Sequence, residues 1–496
     1  MNTSRIDSLD KLYLVVIFAF VILLLMPFLI TNVLLTDDLA RVEEAASFKN
    51  ITYFPDYLFN FLNTPTMSSR PVSGFFTAII SYLTGFNEKL YYLGYFFFIV
   101  SIYFVFKLSQ SFTNNIFFSI VSTAIYCLIP IGTSLVFSPL MLNSSLAIIF
   151  YCSSLIILIE KKQITSTLFF SMLFFIFSVF SYEVFAPLIL LNLLLLKKKR
   201  IFYLVGIIGF ILIYRQLIGP HVFGNYSQQS NVSQIFQIKR NIIVIFEIIK
   251  TLTYDFLLSI YRSFLAIGYF TFYDYWLLFI FNLFTFYYIK KKNISTEFSN
   301  QLNIKFNYFI ILGVFCATLI YFASNYSPNL FGYDNRTLGA LRLYVVLTLS
   351  YLLFKTRNRF IIFLVILIFS VSAISVKNAW LYSFKSNNEI FNKIRSHNIP
   401  KHENIKMLYV IFDQKNADLQ NTFSQQCNKD RNVFFSDSHF ILREPMFFET
   451  WEGKYYVRRL GLNPDIKIQY YYSKDENKSR PYYLYDLAKD KISIVK

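Results

Sequence analysis

The stretch LYLVVIFAFVILLLMPFLITNVLL, residues 12–35, decides the fold class of this chain. It carries no charged side chain, and roughly 20 consecutive apolar residues are enough for an α-helix to cross the hydrocarbon core of a bilayer. The block is too long for the core of a signal peptide, and no small-residue cleavage site follows it. We therefore expect a retained membrane-spanning helix.

Similar apolar blocks recur as far as residue 376. The 496-residue chain is 55% hydrophobic and 15% charged, whereas soluble proteins carry about 25% charged residues. Its 59 Phe and 37 Tyr exceed what a soluble core holds, but lipid-facing and interfacial positions accept them. The composition predicts an all-α polytopic membrane protein.

The basic residues indicate how the chain is threaded. A net charge of +18 would suggest nucleic acid as a partner of a soluble protein. Here short basic clusters separate the apolar blocks, which is the pattern of loops that face the cytoplasm. We therefore expect a lipid bilayer and no nucleic acid as a partner. The clusters are Arg5 with Lys11, Lys161 with Lys162, Lys197 to Arg200, Lys290 to Lys292, and Lys355 with Arg357 and Arg359.

Placing every cluster on one side requires an even number of crossings between neighbouring clusters. About eleven transmembrane helices within residues 1–377 satisfy this rule. Residues 165–196 then form a hairpin with Glu183 at its outer turn, while segments 36–88 and 219–272 lie outside, the latter with amphipathic pieces. The remaining helices are predicted at 12–35, 90–107, 115–131, 143–159, 201–218, 273–289, 306–324, 338–354 and 360–376.

Residues 378–496 differ from the rest in composition, being rich in Asn, Lys, Asp and Glu. Strand-like runs occur at Met407–Phe412, Lys454–Val457 and Ile466–Tyr472. We expect a small soluble α/β domain on the outer side. The four Cys are scattered without a CxxC pair, so neither a disulfide framework nor a zinc site is expected.

The strongest chemical signal is Thr36-Asp37-Asp38-Leu39-Ala40-Arg41, just after the first apolar block. Adjacent carboxylates repel each other unless something pairs with them. A divalent cation such as Mg²⁺ or Mn²⁺, sugar hydroxyls or a nearby Arg could each do so. A carboxylate here could act as a general base, or one of the two could simply cap the following helix.

A second signal is Ser69-Arg70-Pro71-Val72-Ser73 in the same outer segment. An Arg can bind a phosphate in bidentate fashion, or it can anchor a helix at the interface. Pro71 is typical of a helix start.

Two further signals fall on the same predicted side of the membrane. Tyr182-Glu183 places an acid at a turn near the membrane, where an acid is a candidate functional group or a solvated turn residue. Tyr333-Asp334-Asn335-Arg336, with Arg342 beyond it, could form a salt bridge or hold a lipid phosphate.

Together these motifs resemble the GT-C class of membrane glycosyltransferases, most closely the bacterial O-antigen glucosyltransferase group called GtrII-like. In that group Asp-Asp-x-x-Arg is followed by Gly-Arg-x-x-Ser. Asp37 to Arg41 match the first motif, and Ser69 to Ser73 match the second with Ser in place of Gly. The turn Ser181 to Glu183 is also similar to one in the group.

The resemblance implies transfer of a sugar, such as glucose, from a polyprenyl-phosphate donor to a glycan acceptor such as O-antigen. The reaction would take place outside a bacterial inner membrane, beside the extracytoplasmic C-terminal domain. On that basis Asp37, Asp38 and Glu183 are expected to be catalytic, with Asp37 and Asp38 the ligands of any metal. The expected substrate-binding residues are Arg41, Arg70, Ser73, Tyr182, Asp334, Arg336 and Arg342.

Other functions stay open at this point. A lipid A or protein glycosyltransferase of the same class would show similar motifs. A flippase or polymerase of lipid-linked oligosaccharides is a further alternative, although we find no internal repeat of the transporter kind. A channel is disfavoured because a Gly-rich filter segment is lacking.

Overall fold

A computed structural model describes residues 6–34, 37–140, 142–161, 164–196, 199–226, 232–292, 306–324, 326, 328–330, 333–397, 399, 405–411, 451–463, 465–471, 481–486 and 489–495. The chain up to residue 397 is almost entirely helical. The α-helices there are α1 Ser8–Thr31, α2 Asp37–Ser47, α3 Phe54–Leu62, α4 Pro65–Ser68, α5 Pro71–Leu83, α6 Tyr95–Thr113, α7 Ile116–Leu128, α8 Ser134–Phe137, α9 Leu142–Glu160, α10 Thr165–Ser181, α11 Ile189–Leu195, α12 Arg200–Ile213, α13 Gly219–Val222, α14 Ile238–Lys250, α15 Phe256–Leu265, α16 Phe272–Lys291, α17 Phe306–Thr318, α18 Gly339–Thr356 and α19 Arg359–Ser396.

Within the described residues, six helices are long and apolar enough to cross a membrane. Five further apolar helices are shorter. The prediction of a helical, multi-pass membrane protein is confirmed, whereas a total of about eleven crossings stays a prediction. The six long helices span Ser8–Thr31, Tyr91–Thr113, Leu142–Glu160, Arg200–Val222, Asn335–Thr356 and Arg359–Leu381.

Several basic clusters meet at one end of the helix bundle. Lys292 Nζ lies 2.7 Å from both Asp7 Oδ2 and Asp10 Oδ1 at the start of α1. The hydrogen bond from Lys292, with a second from the Asp10 amide, lowers the pKa of Asp7 from 3.8 to about 2. Arg359 donates to the Lys290 carbonyl over 3.1 Å. We call this end of the bundle the basic end and the opposite end the outer end.

The basic clusters at Lys161 and at Lys199 with Arg200 lie at the same end of the bundle, and aromatic packing connects them to the other clusters. Lys199 Nζ donates to Thr165 Oγ1 over 3.0 Å, at the start of α10. Ser111, at the end of α6, donates to Glu160 over 2.5 Å. Phenylalanines on α6 and α7 connect this region to α16, α17 and α18 through the ring pairs Phe112–Phe306, Phe117–Tyr288 and Phe118–Phe354.

Small polar side chains bind the helices together inside the bundle. The Ser171 and Tyr203 hydroxyl oxygens lie 3.0 Å apart. Asn192 donates to the Tyr203 hydroxyl and to Ser154 Oγ, each over 2.8 Å. These four residues lie on α9, α10, α11 and α12. Hydrogen bonds of this kind hold helices together where lipid gives no hydrophobic driving force between them.

The outer segment after α1 forms its own small core. The buried residues Ala45, Tyr57, Phe61, Met67 and Ala78 pack together across α2 to α5. The helices approach closely at Gly74, where a Cβ would lie 2.6 Å from Leu62 Cδ2. This packing fixes the segment that carries Asp38 and Arg70.

The last helix of the bundle is longer than expected. A span ending at residue 376 was predicted, but α19 runs over 38 residues to Ser396. It therefore continues beyond residue 377, where the composition changes. The change in composition marks the point where the helix becomes polar and does not interrupt it.

The C-terminal region contains the helix α20, Trp451–Arg459, and the strands β1 Met407–Ile411, β2 Lys467–Tyr471, β3 Tyr482–Asp486 and β4 Lys491–Val495. The sheet order is β2-β1-β3-β4, with β1 parallel to β2 and β3, and β4 antiparallel to β3. The strand predicted at Lys454–Val457 is wrong, because these residues lie in α20. A short apolar run does not distinguish a strand from a buried helix.

The C-terminal region packs on the outer segment. The Arg458 Nε–Glu43 Oε2 distance is 3.0 Å, and one apolar cluster contains Leu39 and Val42 of α2 together with Phe391 and Tyr456. Residues near the outer end of α1 therefore contact the region that the sequence assigns to a soluble domain.

A buried ion pair also joins α16 to α19. The ammonium group of Lys377 contacts Asp274, and the two side chains are 2% and 0% exposed. Asn378 Nδ2 donates to Asp274 over 3.0 Å, and the Thr271 amide donates to it over 2.9 Å.

Removing one partner of this pair should destabilise the protein strongly. We expect Asp274→Asn or Lys377→Met to lower the free energy of unfolding by about 3–5 kcal/mol, because each leaves a buried group without its partner. The double variant should recover most of the loss. Denaturant unfolding of the purified protein in detergent measures this, and a double variant no more stable than the worse single variant would contradict it.

Candidate functional site

Three side chains from distant parts of the chain meet in one hydrogen-bonded cluster, Arg70, Glu183 and Tyr326. Arg70 donates from Nε to Glu183 Oε2 over 2.8 Å and from Nη2 to Glu183 Oε1 over 2.7 Å. Arg70 Nη2 also donates to the Tyr326 hydroxyl over 2.6 Å, and that hydroxyl donates to Glu183 Oε1 over 2.5 Å. The geometry is the bidentate pairing that a planar guanidinium favours.

Helix ends bring these residues together. Arg70 directly precedes Pro71, the first residue of α5, as expected of a proline at a helix start. Glu183 follows the end of α10, where Tyr182 is extended with φ −156° and ψ 117°. Since α10 begins at Thr165 beside Lys199, Glu183 lies at the outer end.

Tyr182 forms the floor of the cluster. The Arg70 guanidinium lies 4.8 Å above the centre of its ring, which is a cation–π contact. The Tyr182 side chain is completely buried, and its hydroxyl has no hydrogen-bond partner among the described residues. A buried hydroxyl without a partner is costly, so this position suits a water molecule or a ligand group.

Burial makes the cluster electrostatically strong. The side chains of Arg70 and Glu183 are each 5% exposed. If one of the two charges is removed, the other stays buried and water cannot solvate it, so each charge needs its partner. The pair therefore fixes the guanidinium and ties the outer segment to the end of α10.

Asp38 makes a separate set of contacts. Its Oδ1 accepts hydrogen bonds from Ser138 Oγ at 2.6 Å and from the Leu140 amide at 3.0 Å, and the residue is 1% exposed. These donors belong to the loop after α8, so Asp38 connects α2 to a distant segment of the chain. The side chain of Asp37 lies outside the described residues.

The loop that holds Asp38 is packed tightly against the start of α6. A Cβ on Gly94 would lie 1.6 Å from the Pro139 carbonyl oxygen, so only glycine fits there. The Tyr95 hydroxyl donates to the Phe137 carbonyl over 3.0 Å. The two donors to Asp38 are thereby fixed in position.

Two residues expected to bind substrate have local partners. Arg41 is buried and forms a salt bridge with Glu44 in the same helix. Ser73 Oγ donates to the Arg70 carbonyl over 3.1 Å at the start of α5. In this structure both side chains stabilise helices of the outer segment.

Arg342, another predicted substrate-binding residue, donates its hydrogen bonds to backbone carbonyls inside the bundle. It is completely buried and donates from Nε to the Tyr126 carbonyl over 3.1 Å and from Nη1 to the Ile131 carbonyl over 2.5 Å. These carbonyls lie at and beyond the end of α7, which leaves carbonyls without helical partners. The arginine satisfies them.

The neighbouring motif is also engaged with the bundle. Asn335 accepts from the Ser134 amide over 2.9 Å and donates to Thr133 Oγ1 over 2.6 Å. Arg336 is half-buried, and its carbonyl accepts from Ser144 Oγ over 3.0 Å. The Asp334 side chain lies outside the described residues.

The structure therefore joins Arg70, Tyr182 and Glu183, gives Asp38 its own partners, and assigns Arg342 to a helix end. Sequence reasoning missed Tyr326 and Ser138. Both lie in irregular segments without hydrophobic periodicity, so the sequence offered no signal for them. In the described part of the chain, no three His, Cys, Asp or Glu side chains form a group that could hold a metal ion.

Comparison with protein-family models, curated proteins and solved structures finds no match to this chain.

Variants of the cluster should lose the most stability when they leave a buried charge without its partner. We expect Glu183→Gln to lower the free energy of unfolding by about 3 kcal/mol or more, because Arg70 remains buried and charged. Tyr326→Phe should cost about 1.5–3 kcal/mol, since it removes hydrogen bonds to charged groups. Denaturant unfolding in detergent gives the ranking.

The matched control is Tyr103→Phe, because Tyr103 is 48% exposed and should change stability by at most about 0.5 kcal/mol. A Glu183→Gln variant as stable as this control would show that the cluster does not hold the outer segment.

Proposed function

We propose that this chain is a membrane glycosyltransferase that moves a sugar from a polyprenyl-phosphate donor to a cell-surface glycan. The proposal is supported by the presence of Asp38 and of the Arg70–Glu183–Tyr326 cluster at the same end of the bundle, the outer end. Asp38 follows the outer end of α1, and Glu183 follows the outer end of α10. Glycosyl transfer needs a carboxylate near the acceptor and a cation near the leaving phosphate.

Asp38 is the proposed general base. The acceptor hydroxyl attacks the anomeric carbon, its proton passes to the carboxylate, and the bond from that carbon to the phosphate oxygen breaks. A single displacement of this kind inverts the anomeric centre. Hydrogen bonds from Ser138 and Leu140 to Oδ1 orient the carboxylate, so that its position costs no reorganisation during the reaction. Asp37 is an alternative base.

Arg70 is the proposed phosphate-binding residue. Phosphate and carboxylate present similar oxygen pairs to a guanidinium, so a donor phosphate can share or replace the interaction with Glu183. Glu183 then acts as a positioning residue, because it holds the guanidinium in place before the donor arrives. The phosphate needs its developing charge neutralised, and a guanidinium supplies that.

A lipid A or protein glycosyltransferase uses the same chemistry with another acceptor. A flippase or polymerase for lipid-linked oligosaccharides is the alternative outside this assignment. A radiolabelled sugar-transfer assay separates flippase from transferase, since a flippase forms no glycosidic bond.

Replacing Asp38 with Asn removes the negative charge but keeps an oxygen that accepts hydrogen bonds, so transfer should slow strongly. We expect Asp38→Asn to lower the transfer rate by about 100-fold or more, the usual contribution of a general base. The measurement is incorporation of labelled sugar by proteoliposomes, together with glycan analysis of cells that carry each variant.

The control is Glu43→Gln, which removes a carboxylate from the same helix, leaves the proposed base intact and loses only a partly exposed pair with Arg458; transfer should change less than about twofold. Asp37→Asn is measured in parallel. Wild-type rates in Asp38→Asn, Asp37→Asn and the double variant would remove the carboxylates from the mechanism.

A further inference from the structure

A cavity of about 700 Å³ lies between the outer end of α1, the turn after α5, the polar half of α19 and α20. Its wall includes Leu39, the residue directly after Asp38. The cavity therefore borders the segment that carries the proposed base, and it is formed partly by the C-terminal region.

The polar part of the wall consists of groups that recognise hydroxyls. Amide side chains from three segments face the cavity, those of Asn32, Asn87 and Asn388, and Arg459 lies at its edge. An amide both donates and accepts hydrogen bonds, as a sugar hydroxyl does. No Asp or Glu is among the described residues that line this cavity.

Aromatic and aliphatic side chains form most of the rest of the wall. Tyr455 and Tyr456 are buried there beside Phe391, and the Arg459 guanidinium lies 4.6 Å above the centre of the Tyr455 ring. Aromatic rings offer flat apolar surfaces beside polar groups, which suits the C–H faces of a pyranose ring. Amides and aromatic rings together give this wall the chemistry that a carbohydrate requires.

A second cavity of about 630 Å³ provides a contrast. It shares Ile30 and Thr31 with the first cavity. Its surface is mainly apolar, with Met26 and Leu381 in the wall, but polar side chains that include Lys377 also line it. An apolar wall suits a lipid chain, whereas the amide-rich wall does not. The two cavities flank the outer end of α1 and differ in the chemistry they can accept.

We propose that the amide-lined cavity binds the acceptor glycan as an uncharged oligosaccharide, with Asn388 and Arg459 as hydrogen-bonding residues. The identification of the bound glycan as the acceptor rests on the proposed function, but glycan binding itself does not require transfer. The C-terminal region then supplies acceptor recognition, and α2, which carries Asp38, borders the same cavity through Leu39.

The test is oligosaccharide binding to the full-length protein in lipid nanodiscs, which avoids sugar-based detergents. Saturation-transfer NMR and calorimetry measure binding of maltotriose, cellotriose, mannotriose and chitotriose. We expect saturable binding of at least one probe, and about a tenfold or greater loss of affinity in the double variant Asn388→Ala with Arg459→Ala.

The matched control is Arg458→Ala. Arg458 is adjacent to Arg459 but pairs with Glu43 and does not line the cavity, so affinity should stay within about twofold of wild type. Intact folding of every variant is checked by thermal unfolding. Failure of all four probes to bind, or equal affinities in the double variant and the control, would overturn the inference.

The same variants separate this inference from the proposed function. Saturable, Asn388- and Arg459-dependent binding in a protein that forms no glycosidic bond would retain the glycan site and reject the transferase. Transfer with an unchanged acceptor KM in the double variant would retain the transferase and reject the site.

Discussion

The bidentate salt bridge between Arg70 and Glu183 is the interaction on which the outer end depends. Both side chains are almost fully buried, so neither charge can be left without the other. The bridge joins the start of α5 to the end of α10, and Tyr326 connects both to the segment after α17. Because α5 also contacts α2 within the outer segment, this one pairing helps to position the helix that carries Asp38.

The same physical rule distinguishes structural from chemical charges in this protein. Arg342 satisfies carbonyls beyond α7, and Lys377 pairs with Asp274 between α16 and α19. A buried cation that is satisfied by its own backbone or by one acid supports the bundle. Arg70 differs, because it shares its acid with a tyrosine hydroxyl and lies over Tyr182, whose own hydroxyl is unsatisfied among the described residues.

The sequence predicted the helices well, because apolar blocks of bilayer length have few alternatives. The positions of the basic clusters also predicted that Arg70, Tyr182 and Glu183 lie on the same side of the membrane. It could not reveal Tyr326 as a partner, since contacts across distant loops leave no periodic signal. The true length of α19 was missed, because the change in composition shows where the helix becomes polar and not where it ends. The helix at Trp451–Arg459 was missed, because a run of four residues is too short to distinguish a helical pattern from a strand pattern. The binding of Arg342 to carbonyls depends on where α7 ends, which the sequence shows only approximately.

Asp38 and the Arg70 cluster share the outer end with the C-terminal region, opposite the basic clusters. Cysteine accessibility tests this placement directly. In a variant with Cys127, Cys152, Cys316 and Cys427 replaced by Ala, single substitutions Glu43→Cys, Arg458→Cys and Arg359→Cys are treated with a membrane-impermeant maleimide in intact and permeabilised cells. We expect Glu43→Cys and Arg458→Cys to react in cells whose inner membrane is intact, and Arg359→Cys to react only after permeabilisation. Labelling of positions 43 and 359 from the same side would contradict the account.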